Sequence, residues 1–309
     1  MGRSKSATES AEGFREWLFQ PARLLRFALF AGLLVLAPWL YRQLPPLSAR
    51  DEYRLTLDQI VIDPAPVAPI PADLFAQVQK RAELPDKLSA LDGQLPQRLA
   101  DAFALHPWIA RVVEVRNEFP AAVKVTVEYR QPVALVQVPH GYYAVDGEGI
   151  LLPPQDFTTA DASQYLVIKG IISTPQNGAG HRWDDPALTA AAQLAELLTS
   201  KWEQLQIASI IAPRDAATGG DIDSLQFDLL TANGTRILWG RAPGSQHPGE
   251  LTPAQKLGRL NKYLAEFGSF DRPSGPYEID IRRWQEITRK PLTNATSASR
   301  VKEPTTKRR

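Results

Sequence analysis

Histidines, paired acids and hydroxyls are where this chain could do chemistry, and their spacing limits what that chemistry could be. His106, His140, His181 and His247 lie far apart, each beside a proline, glycine or arginine that signals a loop. A metal site or a proton relay needs two or three such groups converging, and no local spacing here supplies that. Asp221 and Asp223 follow Gly219-Gly220, but no calcium-loop or other ligand pattern continues from them. Asp184-Asp185 precedes Pro186, which suits a helix start better than a cation site. The chain has no cysteine, so thiol nucleophiles, disulfides and thiolate metal sites are excluded together. No nucleophile motif, phosphate loop or zinc pattern occurs, so neither an enzymatic activity nor a cofactor is expected. The sequons Asn233-Gly-Thr235 and Asn294-Ala-Thr296 are of a kind that arises by chance.

A different chemistry, that of unpaired backbone amides, is available near the C-terminus. Trp284-Gln-Glu-Ile-Thr288 reads as the last strand of a sheet, with nothing folded after it to cover its free N–H and C=O groups. Such an edge can accept a strand from a partner, with backbone hydrogen bonds for affinity and alternate side chains for specificity. Arg283, Trp284, Gln285, Glu286, Ile287 and Thr288 are therefore the candidate binding residues, Trp and Arg being typical of binding hot spots. The competing reading is an edge that Arg289, Lys290 and Pro291 blunt against pairing.

The elements that would position this edge follow from periodicity. Tyr53–Ile62 alternates as a strand, and Pro64, Pro66, Pro69 and Pro71 then enforce an extended connection. Asp73–Glu83 reads as a helix with Leu74, Phe75, Val78 and Ala82 inward, and a second helix aligns Leu95, Leu99, Ala102 and Phe103. A hairpin follows, with Val113 and Val115 on one face, then Val123, Val125, Val127 and Tyr129 in strict alternation. Strand, helix, helix, strand, strand makes an α+β unit over 53–131. From Pro132 strands dominate, and a mostly antiparallel β domain with flanking helices is expected over 132–288. Its predicted strands include Val133–Val138, Tyr142–Asp146, Tyr165–Gly170, Ile207–Ile211, Leu225–Leu230 and Tyr277–Arg282, with an Asn233-Gly234 hairpin turn to Arg236–Trp239. One helix carries Leu188, Ala191, Ala195, Leu198 and Trp202, and Thr252-Pro253 opens another with Leu257, Leu260, Leu264 and Phe267 on one face. Residues 289–309 read as a disordered tail rich in Thr, Ser, Lys and Arg.

Near the N-terminus, Phe27–Tyr41 runs without a charge. A full span needs about 20 residues, and Leu24 to Leu44 reaches that length if Arg26 snorkels to the headgroups. Leu24, Phe27, Phe30, Leu33, Leu34, Leu36, Trp39 and Leu40 would face lipid, with Trp39 and Tyr41 at the interface. The alternatives are a cleaved signal peptide, disfavoured by the bulky Trp39-Leu-Tyr-Arg42 after Ala37, and a buried core helix. Arg3, Lys5, Arg15, Arg23 and Arg26 precede the run, against Arg42, Arg50 and Arg54 after it. That bias predicts a cytoplasmic tail over 1–23 and a single-pass type II topology, with a spacer over 45–52 and the remainder outside the cytoplasm. Lys and Arg (35) nearly balance Asp and Glu (34), so no overall field invites nucleic acid.

Residues 106–152, "HPWIARVVEVRNEFPAAVKVTVEYRQPVALVQVPHGYYAVDGEGILL", resemble the core of FtsQ/DivIB-type bacterial cell-division proteins. The matching pieces are Pro107-Trp108-Ile109, Phe119-Pro120, Glu128 to Ala134, and Val145-Asp146-Gly147-Glu148-Gly149. Further along, "YLVIKG" (165–170), "TANGTRILWG" (231–240), "QKLGRLNKYL" (255–264) and "YEIDIR" (277–282) are similar to later segments of that family. The first strand lacks the glycine usual after it, and Tyr129 stands where Arg is commoner. The resemblance implies a POTRA domain over 53–131 and a β domain over 132–288. It implies an inner-membrane, non-enzymatic scaffold at midcell, binding single-span division proteins of the FtsB/FtsL kind through the β domain's terminal edge, with no small-molecule substrate. The rival is a POTRA-bearing envelope protein of secretion or outer-membrane assembly, which normally ends in a β-barrel.

Overall fold

A computed structural model describes residues 32–37, 39–41, 53–56, 59–86, 88–118, 121–213 and 222–292. The described residues fall into two compact units, one within Met1–Ile60, Asp86–Leu95 and Asn117–Val123, the other within Val61–Pro85, Pro96–Arg116 and Lys124–Arg309. In the first, β1 (Arg54–Leu55) pairs antiparallel with β3 (Leu88–Ser89), setting Leu55 opposite Leu88. Tyr53 extends this pairing by accepting the Ala90 amide at 2.9 Å.

The strand expected over 53–62 is two strands. A turn in which Gln59 N–H donates to Thr56 C=O ends the first, and β2 (Ile60–Asp63) joins another sheet. That sheet has three strands in the order β2-β5-β4, with β4 Ile109–Glu118 and β5 Ala122–Tyr129. Val123, Val125 and Val127 are buried as the alternation predicts. On β4 only Ile109 is fully buried; Val112 and Val115 are half-buried and Val113 is 51% exposed. The predicted helices are present as α1 (Leu74–Arg81), burying Leu74 and Val78, and α2 (Leu95–Ala104), burying Leu95, Leu99, Ala102 and Phe103. Trp108, fully buried, donates its indole N–H to Asp156 at 2.7 Å, and Arg130 pairs with the buried Asp146 at 2.9 Å.

The larger unit holds an eight-stranded sheet in the order β13-β12-β11-β10-β9-β8-β6-β7. Its strands are β6 Ala134–Val138, β7 Gly141–Val145, β8 Leu166–Lys169, β9 Ile207–Ile211, β10 Gln226–Thr231, β11 Arg236–Arg241, β12 Tyr277–Asp280 and β13 Thr288–Pro291. Most neighbours are antiparallel; β6/β8, β8/β9 and β11/β12 are parallel. Parallel neighbours need long crossovers, and α3 (Pro186–Leu198) and α4 (Pro253–Phe267) supply two of them. Asp185 caps α3 by accepting the Ala187 and Leu188 amides, the helix-start role expected of it. The register places Tyr143, Val136, Ile168, Ile210, Leu229, Ile237 and Ile279 in one row across the sheet. These side chains share a core with Leu188, Ala191, Leu194 and Leu198 of α3 and with Leu257, Leu260 and Tyr263 of α4.

The last strand is not where the sequence suggested. Arg283–Gln285 form a bend, residues 281–287 connect β12 to β13, and pairing begins only at Thr288, opposite Asp280. A strand antiparallel to its sequence neighbour needs a reversal between them, and the alternating 284–288 segment is used up by it. Arg289, Lys290 and Pro291, expected in the tail, are strand residues.

Residues 32–37 and 39–41 are helical, and Leu33, Leu34, Leu36, Trp39 and Leu40 are each more than half exposed. Leu24, Phe27 and Phe30 lie outside the described residues. Among the described residues no helix is long and apolar enough to cross a membrane.

Candidate functional site

The site is assembled on α4, the helix beside the sheet's terminal strand. Thr252 and Gln255 form a capping box at its start, and Gly268, with φ of 73°, ends it in the left-handed conformation that glycine adopts without strain. Leu257, Leu260 and Tyr263 face the core, which leaves Arg259, Lys262 and Glu266 on the flank toward the loop before β13. Arg259 reaches across and donates to three backbone carbonyls of that loop, Ile281 at 3.3 Å, Trp284 at 2.5 Å and Glu286 at 3.4 Å. These bonds tie the 281–287 backbone to α4 and hold it as a loop.

Among the described residues, β13 closes the sheet with a neighbour on one side only. The core row that crosses the sheet ends in this strand at Arg289, opposite Ile279. Its guanidinium lies between two rings, 4.9 Å from the Phe267 centroid and 4.8 Å from that of Tyr277, and donates to the Tyr263 hydroxyl at 3.3 Å. The arginine thus fixes the terminal strand to α4 as an apolar residue would, while its charge stays near water.

Between α4 and the loop lies an open groove of about 570 Å³. Arg259, Lys262 and Arg289 line it with Glu266, Glu286 and Gln285, around an apolar floor of Tyr263, Phe267 and Ile287. On the loop's other side the exposed Trp284 donates its indole N–H to the Gly249 carbonyl at 3.0 Å. At the entrance to the loop, the Arg282 guanidinium grips both oxygens of Asp280 and holds that carboxyl below the usual carboxylate range.

Of the residues singled out from sequence, Gln285, Glu286 and Ile287 line the groove. Trp284 turns to Gly249, Thr288 opens β13, and Arg283 is exposed and outside the groove lining. Arg259, Lys262 and Glu266 were missed, since they read as the solvated face of an amphipathic helix. Arg289 was read only as a blunting charge. His140, His181 and His247 are exposed loop residues. His106 sits in a turn but is buried, its Nδ1 accepting the Trp108 amide and its Nε2 facing the Gln77 carbonyl oxygen, both at 3.3 Å. Among the described residues no group of three or more His, Asp or Glu could hold a metal ion.

Fold and site together define a class of α+β protein: a large, mostly antiparallel sheet, backed by two helices, that ends on an open strand beside a polar groove. Residues 134–282 match the family model described as "Cell division protein FtsQ/DivIB, C-terminal". Over these residues the chain carries the C-terminal domain of FtsQ/DivIB-type cell-division proteins. The match covers four of the segments that carried the resemblance fully and the "HPWIARVV…" segment only from Ala134, with 106–133 lying before it. A comparison with curated proteins found no match.

Proposed function

We propose that this chain is a membrane-anchored, non-enzymatic scaffold of the bacterial division complex. In this reading the helix over 24–44 is a type II anchor, 53–131 a POTRA domain and 132–288 a β domain extended by β13, both outside the cytoplasm. Single-span division proteins of the FtsB/FtsL kind add a strand to the free edge of β13 and set side chains into the groove beside it. Arg283 to Thr288 contribute from the loop, with Arg259, Lys262 and Arg289 as the cationic rim.

The observation that carries this is that, among the described residues, β13 pairs on one side only, beside an open groove of about 570 Å³. An open edge supplies backbone hydrogen bonds without sequence preference, and a groove with three cations and two carboxylates supplies selectivity. The exposed apolar faces of 32–37 and 39–41 support the anchor, because exposed leucines in a row need lipid or protein to cover them.

The test is co-purification of the full chain, in detergent, with tagged FtsB- and FtsL-like proteins from the same cells. Ile287→Glu puts a charge on the groove floor and should reduce recovery by about tenfold or more, the loss expected at a buried hot spot. An N-terminal fluorescent fusion should form a midcell band. Undiminished recovery of both partners with Ile287→Glu, at unchanged thermal stability, would refute the edge assignment; uniform membrane fluorescence would refute the division-site localisation.

A further inference from the structure

Lys256 is the buried charge that the edge and groove do not use. It is 2% exposed, on the face of α4 turned to the sheet, one turn before Arg259. Its ammonium donates to the Glu250 carboxylate at 2.5 Å and to the Arg241 carbonyl at 3.1 Å, and it lies 4.9 Å from the Trp239 ring centroid. Glu250 also accepts from the Arg241 amide at 3.1 Å and from its guanidinium at 3.3 Å. Gly240 makes room for this carboxylate: with φ of 89°, a Cβ there would stand 2.8 Å from Glu250 Oε1. A buried ammonium is costly unless paired and hydrogen-bonded, and this one is held by two oxygens under an aromatic face.

These contacts close into a ring. From Lys256 the path runs to Glu250, to its chain neighbour Gly249, whose carbonyl accepts the Trp284 indole N–H at 3.0 Å. It returns from the Trp284 carbonyl to Arg259 at 2.5 Å, and so to α4. Two cations one turn apart on a helix thus hold two loops, 242–252 and 281–287, and Trp284 ties the loops to each other.

We propose that Lys256 is a positioning residue for the partner-binding edge: through Glu250 and Gly249 it fixes Trp284, and with it the loop that delivers β13. It is buried behind the loops and cannot touch a partner itself. The proposal rests on the edge reading above, and it adds that edge geometry is set from inside the domain. Burial pulls the ammonium's pKa down while Glu250 opposes, consistent with a tightly enclosed pair.

The test is hydrogen exchange with mass spectrometry on the full chain in detergent, followed by partner recovery. Lys256→Met keeps the volume, removes the charge and leaves Glu250 paired with Arg241. Exchange over 245–252 and 281–291 should rise about tenfold, as expected for one or two lost charge-assisted bonds. Exchange in β8 and β9 should stay unchanged. Trp284→Phe cuts the ring at an exposed link that cannot threaten the core, and exchange over 245–252 should rise with it too. Unchanged exchange over 281–291 in Lys256→Met, or equal acceleration across β8 and β9, overturns the proposal. If Ile287→Glu loses partners and Lys256→Met does not, the edge reading stands and the positioning role falls. If neither loses partners, both fall.

Discussion

Arg289 offers the most direct measure of how firmly the edge is held. Arg289→Ala removes two ring contacts, each worth about 0.5–1 kcal/mol at an exposed site, and a hydrogen bond to Tyr263 of about 0.5 kcal/mol. Because the residue is on the surface, values at or just above the lower ends apply, giving roughly 1.5–2 kcal/mol of local stability for β13. The rest of the sheet pairs without it, so the loss should appear as local opening and not as a lower global midpoint. Native-state hydrogen exchange of the 288–292 amides should accelerate about 10- to 30-fold, since about 1.4 kcal/mol is a factor of ten. Arg289→Lys keeps the charge but not the planar stack between Phe267 and Tyr277, and should recover less than half of the protection. Protection that is unchanged in Arg289→Ala, or fully restored by Lys, would refute the stacking argument and leave the β12–β13 ladder alone to hold the edge.

Two further outcomes follow from the interior. Burial, then the charge of Arg81, lower the pKa of His106 from 6.5 to about 4, with Asp73 opposing. The unfolded chain therefore takes up this proton before the folded one does, so stability is complete above pH 6.5 and declines as pH falls toward about 4. The full shift corresponds to roughly 3 kcal/mol as an upper bound, of which about 2 kcal/mol is expected. Denaturant unfolding between pH 7 and 4 should lose this slope in His106→Gln, and an identical slope in the variant would exclude His106 as its source. At Gly170, φ is 95° and a Cβ would lie within 2.4 Å of the Ala212 carbonyl oxygen, in backbone that cannot rotate away. Gly170→Ala should cost about 2–3 kcal/mol by separating β8 from β9; a variant with an unchanged unfolding midpoint would contradict the geometry.

Much of this fold was legible before any coordinates. The 3.6-residue stripe of Leu95, Leu99 and Phe103 and the two-residue alternation of Val123, Val125 and Val127 encode burial locally, and both were read correctly. Capping chemistry was equally plain at Asp185-Pro186 and Thr252-Pro253, because a cap is satisfied within one turn of its own helix. Alternation failed where a distant element overrode it. Val113 and Val115 alternate, yet Val113 is 51% exposed and Val115 only half-buried, because burial depends on what packs over the strand. His106 looked like any loop histidine, because its burial depends on residues such as Gln77, 29 positions away.

The terminal edge divides along the same line. The sequence determined that an apolar, strand-forming segment lies around Trp284, and that Trp, Arg and Ile are presented there. It could not determine which residues pair. That was decided by Arg259, from 22 to 27 positions earlier, capturing the Ile281, Trp284 and Glu286 carbonyls, and by the reversal that an antiparallel β13 requires. Local pattern records which face a residue prefers, whereas a strand's register is the outcome of competition for backbone hydrogen bonds, and the winning competitor here lies on α4.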